Sequence, residues 1–304
     1  MRKTGIVILL LLPAWLHAEH VFETGLHGGV SGWSGKTEYI ERRVGAQGGA
    51  HVYYDYFSPY VIGFRLGVTI DMHNASFGKT NYEDAYSTID VENEQMDVIY
   101  SISTLNERYT TYSVGIPLQL ALTAKGFHFL AGAKAVFPLA NGWKQTVRHA
   151  ALAVYYPDYD NIVEESYPLA ASRDFEMTQE GKLTLPTVQW WGAIEAGYSI
   201  PIKKSWRVRY RSYIMVGAYL DYCFSPYKGT QSERESLIML SETRDGFPLQ
   251  RLLTPVMEAN RQGRKLVQEA ALFDVGIKIS YALSPYDRAA RKKTYPCRCL
   301  PFSR

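Results

Sequence analysis

YVIGFRLGVTIDM, residues 60–72, decides the fold. From Ile62 it alternates without a break. Ile62, Phe64, Leu66, Val68, Ile70 and Met72 fall on one side, and Gly63, Arg65, Gly67, Thr69 and Asp71 on the other. A period of two sends successive side chains to opposite faces of a β-strand. One face is wholly apolar, while the other carries charge and glycine. In a water-soluble sheet the apolar face covers a core. In a membrane barrel it meets lipid, and the polar face meets a crowded lumen. The remaining segments choose between these.

Seven more segments share the pattern: Phe22–Trp33, Val44–Phe57, Tyr109–Leu122, Gly126–Leu139, Thr187–Ile200, Trp206–Tyr222 and Ala271–Tyr281. In Tyr109–Leu122, for example, Tyr112, Val114, Ile116, Leu118, Leu120 and Leu122 share a face. Each is near the 9–11 residues that a tilted membrane-spanning strand needs. The connections add independent support. Ser58-Pro59, Thr123–Lys125 and Pro201–Ser205 are short turns; 34–43, 73–108, 140–186 and 223–270 are longer. Short and long alternate strictly, as they do where short turns lie in the periplasm and long loops outside. The expectation is an all-β, antiparallel, up-and-down transmembrane β-barrel of eight strands in a bacterial outer membrane, with long extracellular loops and periplasmic termini. Asp97–Thr104 alternates inside the second long loop. It predicts either an extension of a strand or an added pair making ten. Ser232–Leu240 suggests a short helix in the last loop, and Tyr155-Tyr156-Pro157-Asp158-Tyr159 an aromatic cluster that could bind a surface ligand.

Residues 1–18 read as a cleaved secretory signal: Arg2 and Lys3, then the apolar run Gly5–Leu16, then His17-Ala18 before the cut. That run is too short to span a bilayer, which takes roughly 20 residues. The barrel is expected over 19–283, and 284–304 as a basic periplasmic tail. The 304 residues are 46% hydrophobic and 21% charged, with 23 Tyr, 24 Gly and a net charge of +3. A charge that small gives no reason to expect a nucleic-acid partner. Three cysteines, Cys223, Cys297 and Cys299, make neither a disulfide framework nor a four-ligand zinc site.

The inward faces carry acids at Glu23, Asp55, Asp71, Glu195, Asp221 and Asp274, and bases at Arg65, Lys134, Arg207, Arg209, Arg211 and Lys278. Charges in a narrow lumen persist only when paired and hydrogen-bonded. Matched signs therefore predict a mutual network, and eight strands leave an interior that side chains fill. The lumen is expected to be plugged, with no cofactor and no metal. His27 and His51 point inward and are expected to join the network. His128 lies at the periplasmic end. His73, with Ser76 and Asp71 near it in sequence, is the rim candidate for a hydrolase or acyltransferase, the less favoured alternative beside a narrow solute channel. No His-Glu-x-x-His, Gly-x-Ser-x-Gly or Walker loop occurs.

Four short motifs, YSVGIPL at Tyr112–Leu118, EAGY at Glu195–Tyr198, GAYLDY at Gly217–Tyr222 and VGIK at Val275–Lys278, resemble in order and spacing the porin-family outer-membrane β-barrels of the OmpA-type transmembrane class. The resemblance covers roughly residues 20–283. It implies a barrel of eight to ten strands with no settled enzymatic role, and outer-membrane lipid and the barrel-assembly machinery as partners. The function expected is non-enzymatic: envelope integrity, or display of loops for surface binding. Two features depart from the class. Only about 20 residues follow the barrel where anchoring relatives carry a peptidoglycan-binding domain, and Tyr281 is an aromatic near the barrel end without being terminal.

Overall fold

The structure, a computed structural model, describes residues 19–57, 62–89, 93–124, 126–159, 161–163, 172–183, 185–202, 210–227, 236–241, 250–261 and 264–285. The expected signal, Trp206, Arg207, Arg209, Cys297 and Cys299 lie outside these residues, as does the expected tail apart from Ser284 and Pro285, which continue the last strand.

Eight long strands form a closed antiparallel ring. We label them β1 (Glu19–Ser34), β2 (Glu41–Phe57), β3 (Ile62–Ile89), β4 (Gln95–Ala124), β5 (Phe127–Tyr156), β6 (Gln189–Pro201), β7 (Tyr210–Cys223) and β8 (Ala271–Pro285). Each pairs with its neighbours in sequence, and β8 returns to β1, with Phe22 opposite Leu283 and Ser34 opposite Ala271. The β4–β5 turn is two residues long, with Gly126 at φ 90°, a conformation that glycine adopts without Cβ strain.

Burial follows the alternation read from sequence. Along β3, Arg65, Thr69 and Asp71 are buried while Ile62, Leu66, Val68 and Ile70 are exposed. Exposed large apolar side chains occur on all eight strands, among them Leu26, Val52, Ile70, Leu118, Phe129, Ile194, Val216 and Ile277. Glycines on the inward faces make room for large neighbours. A Cβ on Gly115 would stand 2.3 Å from Lys134 Cε, and one on Gly67 2.5 Å from the Tyr53 ring.

Two expected loops are strands instead. Residues 73–89 and 95–108 continue β3 and β4 into a tall hairpin, so Asp97–Thr104 extends β4 and adds no strand to the ring. Residues 140–156 likewise continue β5, and Ser172–Gly181 returns along it. The three extended strands and the returning one form a wall standing above the rest of the ring. In the wall the phase reverses, apolar residues facing in and polar residues out. Phe77, Tyr100, Ile102, Leu105, Val147 and Leu152 are buried, while Asn81, Glu83, Asn106, Arg108 and Lys144 are exposed.

The β7–β8 connection covers this apolar inner face. Leu237, Ile238, Val256, Met257 and Leu266 are fully buried against it. The wall also receives the connection's backbone donors: Leu237 N–H donates to Tyr100 Oη (3.1 Å), Leu240 N–H to Tyr86 Oη (3.0 Å) and Leu253 N–H to Gln179 Oε1 (2.8 Å). Buried amides need such partners, so the wall and the connection fold together as a head above the ring. The expected helix over Ser232–Leu240 is corrected where it is described: Ile238–Ser241 is a strand paired with Gln250–Leu253. Tyr155 and Tyr156 are half-buried at the end of β5, not exposed on a loop.

Candidate functional site

The interior of the ring holds three linked clusters. The first centres on Arg65. Its Nε lies 2.7 Å from Asp55 Oδ1, its Nη2 3.0 Å from Asp55 Oδ2 and its Nη1 2.8 Å from Glu195 Oε2; Nη2 also donates to Glu23. Asp55 stands directly opposite Arg65 across β2–β3, so the forked contact follows from register. Lys278 joins Glu23 (3.3 Å) to Glu195. Tyr53 lies between the two cations, its ring centroid 4.5 Å from Arg65 Cζ and 4.9 Å from Lys278 Nζ. Both separations suit a cation over an aromatic face.

The second cluster centres on Asp71. Lys134 Nζ is 2.8 Å from it and 3.3 Å from Asp221, while His27 Nε2 is 2.7 Å away and Thr69 donates at 2.6 Å. The third is at the upper end. His73 sits with Nδ1 2.9 Å from Asp274 and Nε2 3.2 Å from Ser113, beside the Trp191 ring at 5.4 Å. Together the clusters tie seven of the eight strands to a strand beyond their immediate neighbours, while β4 contributes Ser113, which meets His73 on adjacent β3. A cavity of about 30 Å³ beside Lys134, Asp221, Tyr219 and Gln119 has room for a water or two.

Of the twelve charged residues expected inside, nine are brought together: Glu23, Asp55, Arg65, Asp71, Lys134, Glu195, Asp221, Asp274 and Lys278, all at most 9% exposed. Arg211 departs from the expectation. It has the inward parity, but it sits at the lower end of β7 opposite Ser284 and is exposed. Arg207 and Arg209 lie outside the described residues. Among the described residues three cations therefore face six carboxylates. Histidines also line these acids: His27 and His51, as expected, and in addition His73 and His128 each stand within 3.5 Å of a carboxylate. The available signal was their parity, since all four share the inward phase of their strands.

His73 does not meet Ser76 and Asp71 as a rim triad. Its partners are Ser113 and Asp274, from β4 and β8. The order serine–histidine–aspartate is that of a nucleophile relay. Ser113 is nevertheless fully buried, so its Oγ meets no substrate in this conformation. Among the described residues no cluster of three or more His, Cys, Asp or Glu could hold a metal ion.

The head has a separate buried acid. Glu107 accepts from Val256 N–H at 3.0 and 2.9 Å and from the Tyr109 hydroxyl. Burial without a cation pushes its carboxyl up to about 8. Gln145, directly opposite it on β5, is fully buried, with neither side-chain polar atom hydrogen-bonded among the described residues. No protein-family model matches the chain, and no curated protein matches it either.

Proposed function

We propose that this chain is a bacterial outer-membrane β-barrel of the porin-like, OmpA-type class. In this reading it is non-enzymatic, its lumen is filled by side chains, and it carries a folded extracellular head for envelope integrity or surface binding. The observation that carries the proposal is the belt of exposed apolar side chains around all eight strands, enclosing an interior of paired charges. Water-soluble proteins rarely expose apolar patches beyond a few hundred Å². Ile62 to Met72 is ten steps of about 3.3 Å, and at a tilt of about 40° they rise about 25 Å, the height of a barrel's lipid-facing band. Aromatic residues flank the belt, as the interfaces of such barrels favour: Phe22, Tyr54, Phe127, Tyr198 and Tyr281 below, Tyr112, Trp190, Tyr222 and Phe224 above.

The ion-paired interior and the head above it argue against a diffusion path, and the burial of Ser113 argues against hydrolysis. Two measurements test this function. Protein folded into phosphatidylcholine vesicles should migrate differently on SDS gels before and after boiling, and planar bilayers containing it should show no conductance steps. An unshifted band would remove the membrane reading; regular steps would replace the filled lumen with a channel.

A further inference from the structure

Two short patterns on adjacent strands mirror each other: Gly25-Leu26-His27 on β1 and Gly49-Ala50-His51 on β2. The antiparallel register sets His27 opposite Gly49 and His51 opposite Gly25. Each histidine therefore crosses a glycine to reach a partner one strand further on. His27 passes over Gly49, where an added Cβ would stand 2.6 Å from its Nε2, and meets Asp71 Oδ1 on β3 at 2.7 Å. His51 passes over Gly25 and meets Ser280 Oγ on β8 at 2.9 Å. Crossing in opposite directions, the two rings face each other with their Nδ1 atoms 3.4 Å apart. Glu23, a partner of Arg65, lies beside His51, so the contact joins the Arg65 cluster to the Asp71 cluster.

The partners fix where the protons sit. Asp71 accepts from Lys134 and from Thr69, so it is an acceptor toward His27 as well, and His27 carries its hydrogen on Nε2. Its Nδ1 is then a bare acceptor, and His51 Nδ1 is the donor across the 3.4 Å contact. In the neutral pair one further nitrogen is bare, His51 Nε2, which accepts from the Ser280 hydroxyl. A first added proton goes there, 3.4 Å from Glu23 Oε1, an oxygen that accepts no hydrogen bond among the described residues. The contact between the rings survives. A second added proton has only His27 Nδ1 left to take, and it sets two N–H groups against each other. The charged groups facing the pair are Glu23 on β1, Asp71 on β3, Lys134 on β5, Glu195 on β6, Asp221 on β7 and Lys278 on β8, with the Tyr53 and Tyr219 rings beside it. Six carboxylates against three cations inside the ring draw protons to these imidazoles. We propose that His27 and His51 form an acid-opened clasp in the lumen: with one added proton or none the rings hold each other, and with two they part and uncouple the Arg65 cluster from the Asp71 cluster. The clasp goes beyond the function proposed above by giving the filled lumen two states.

Two readouts on the full chain test the clasp, each at about pH 8 and about pH 5, the range over which imidazole changes charge. With nitrogen-15-labelled histidine in detergent micelles, a scalar coupling between the two Nδ1 atoms, which passes only through a hydrogen bond, should be present at the higher pH and absent at the lower. A double-mutant cycle of His27→Gln and His51→Gln, read by urea unfolding in phosphatidylcholine vesicles, should give a favourable coupling of about fivefold in the unfolding equilibrium constant at the higher pH and an unfavourable one at the lower. A pair that only fills space keeps one sign throughout. Absence of the nitrogen coupling at the higher pH, its persistence at the lower, or a cycle whose sign does not change overturns the clasp. The gel shift of wild type on boiling reports the membrane reading separately: its loss overturns that reading, and the nitrogen coupling in micelles still decides the clasp.

Discussion

Arg65 is the residue on which the interior turns. One side chain from β3 reaches carboxylates on β1, β2 and β6, and three charged partners surround a guanidinium that is fully buried. Removing one member of such a set leaves uncompensated buried charge, which costs about 3–5 kcal/mol. Arg65→Ala is expected to lower stability against urea in vesicles by about that much. Arg65→Lys should recover only part of it, because an ammonium keeps the charge and loses the planar fork that spans Asp55, Glu23 and Glu195. A lysine variant as stable as wild type would show that geometry contributes little here. Glu107 acts on a second scale of pH. Its folded carboxyl titrates near 8 against an ordinary value of 4.5, so the folded head binds the proton more tightly than the unfolded chain does. The resulting stabilisation is complete below about pH 4.5, declines as pH rises and is gone above about 8, at no more than ~1.4 kcal/mol per pH unit. Proteolysis within 236–261, normalised to an unstructured peptide at each pH, should speed up between pH 6 and 9 in wild type and stay flat in Glu107→Gln. A flat wild-type profile would mean that Glu107 does not couple to the head.

Among the elements, β3, β4 and β5 show where the sequence was readable and where it was not. Over Ile62–Met72 and Tyr112–Leu122 the outward face is apolar throughout, and alternation alone gave strand and face. Above the segments read as strands, β3 and β5 run on for 17 residues (73–89 and 140–156) and β4 for 14 (95–108), yet apart from Asp97–Thr104, whose alternation offered an extension, they read as loops. Two physical causes account for this. The outward face changes from apolar to polar, so the hydrophobic phase reverses and an alternation search sees the strand end. A kink at one level then shifts the parity within the wall: Asn81 (φ 54°) on β3, His149 (φ 50°) on β5 and Asp174 (φ 58°) on the returning strand take the left-handed conformation, and the register slips there between β5 and the returning strand. Asn, Asp and His enter that region more readily than most residues, so the kinks sit at suitable residues that carry no obvious turn signal. The outward face of β4 offers a sharp discriminator. Leu118 is 62% exposed. In a lipid-facing position near mid-depth, Leu118→Arg should cost about 2–4 kcal/mol. On a water-facing strand the same change stays within about 0.5 kcal/mol, and a value that small would contradict the belt.

At the scale of the molecule the chain divides by what lies inside the ring. Below, ion pairs and histidines fill it; above, an apolar core closes over it, built from the wall and the β7–β8 connection. The nine interior charges were legible because parity alone assigns a side chain to the inside. The histidine contribution was only partly legible, since an inward histidine shows its partner only once strands distant in sequence are set opposite each other, as Asp274 is set beside His73. The head was not legible, because its core joins residues such as Tyr100 and Leu237 that no local period connects. The central claim is that the outward face seen in Ile62–Met72 meets lipid. The most direct measurement is a nitroxide scan on a chain with Cys223, Cys297 and Cys299 replaced by serine, placing single labels at Ile62, Leu66, Val68 and Ile70 and, for comparison, at Asn81 and Glu83 in the wall. After folding into vesicles, the four belt labels should relax strongly with oxygen and weakly with a water-soluble paramagnetic reagent, and the two wall labels the reverse. Belt labels as accessible to the aqueous reagent as Asn81 would contradict the lipid-facing register and the barrel built on it.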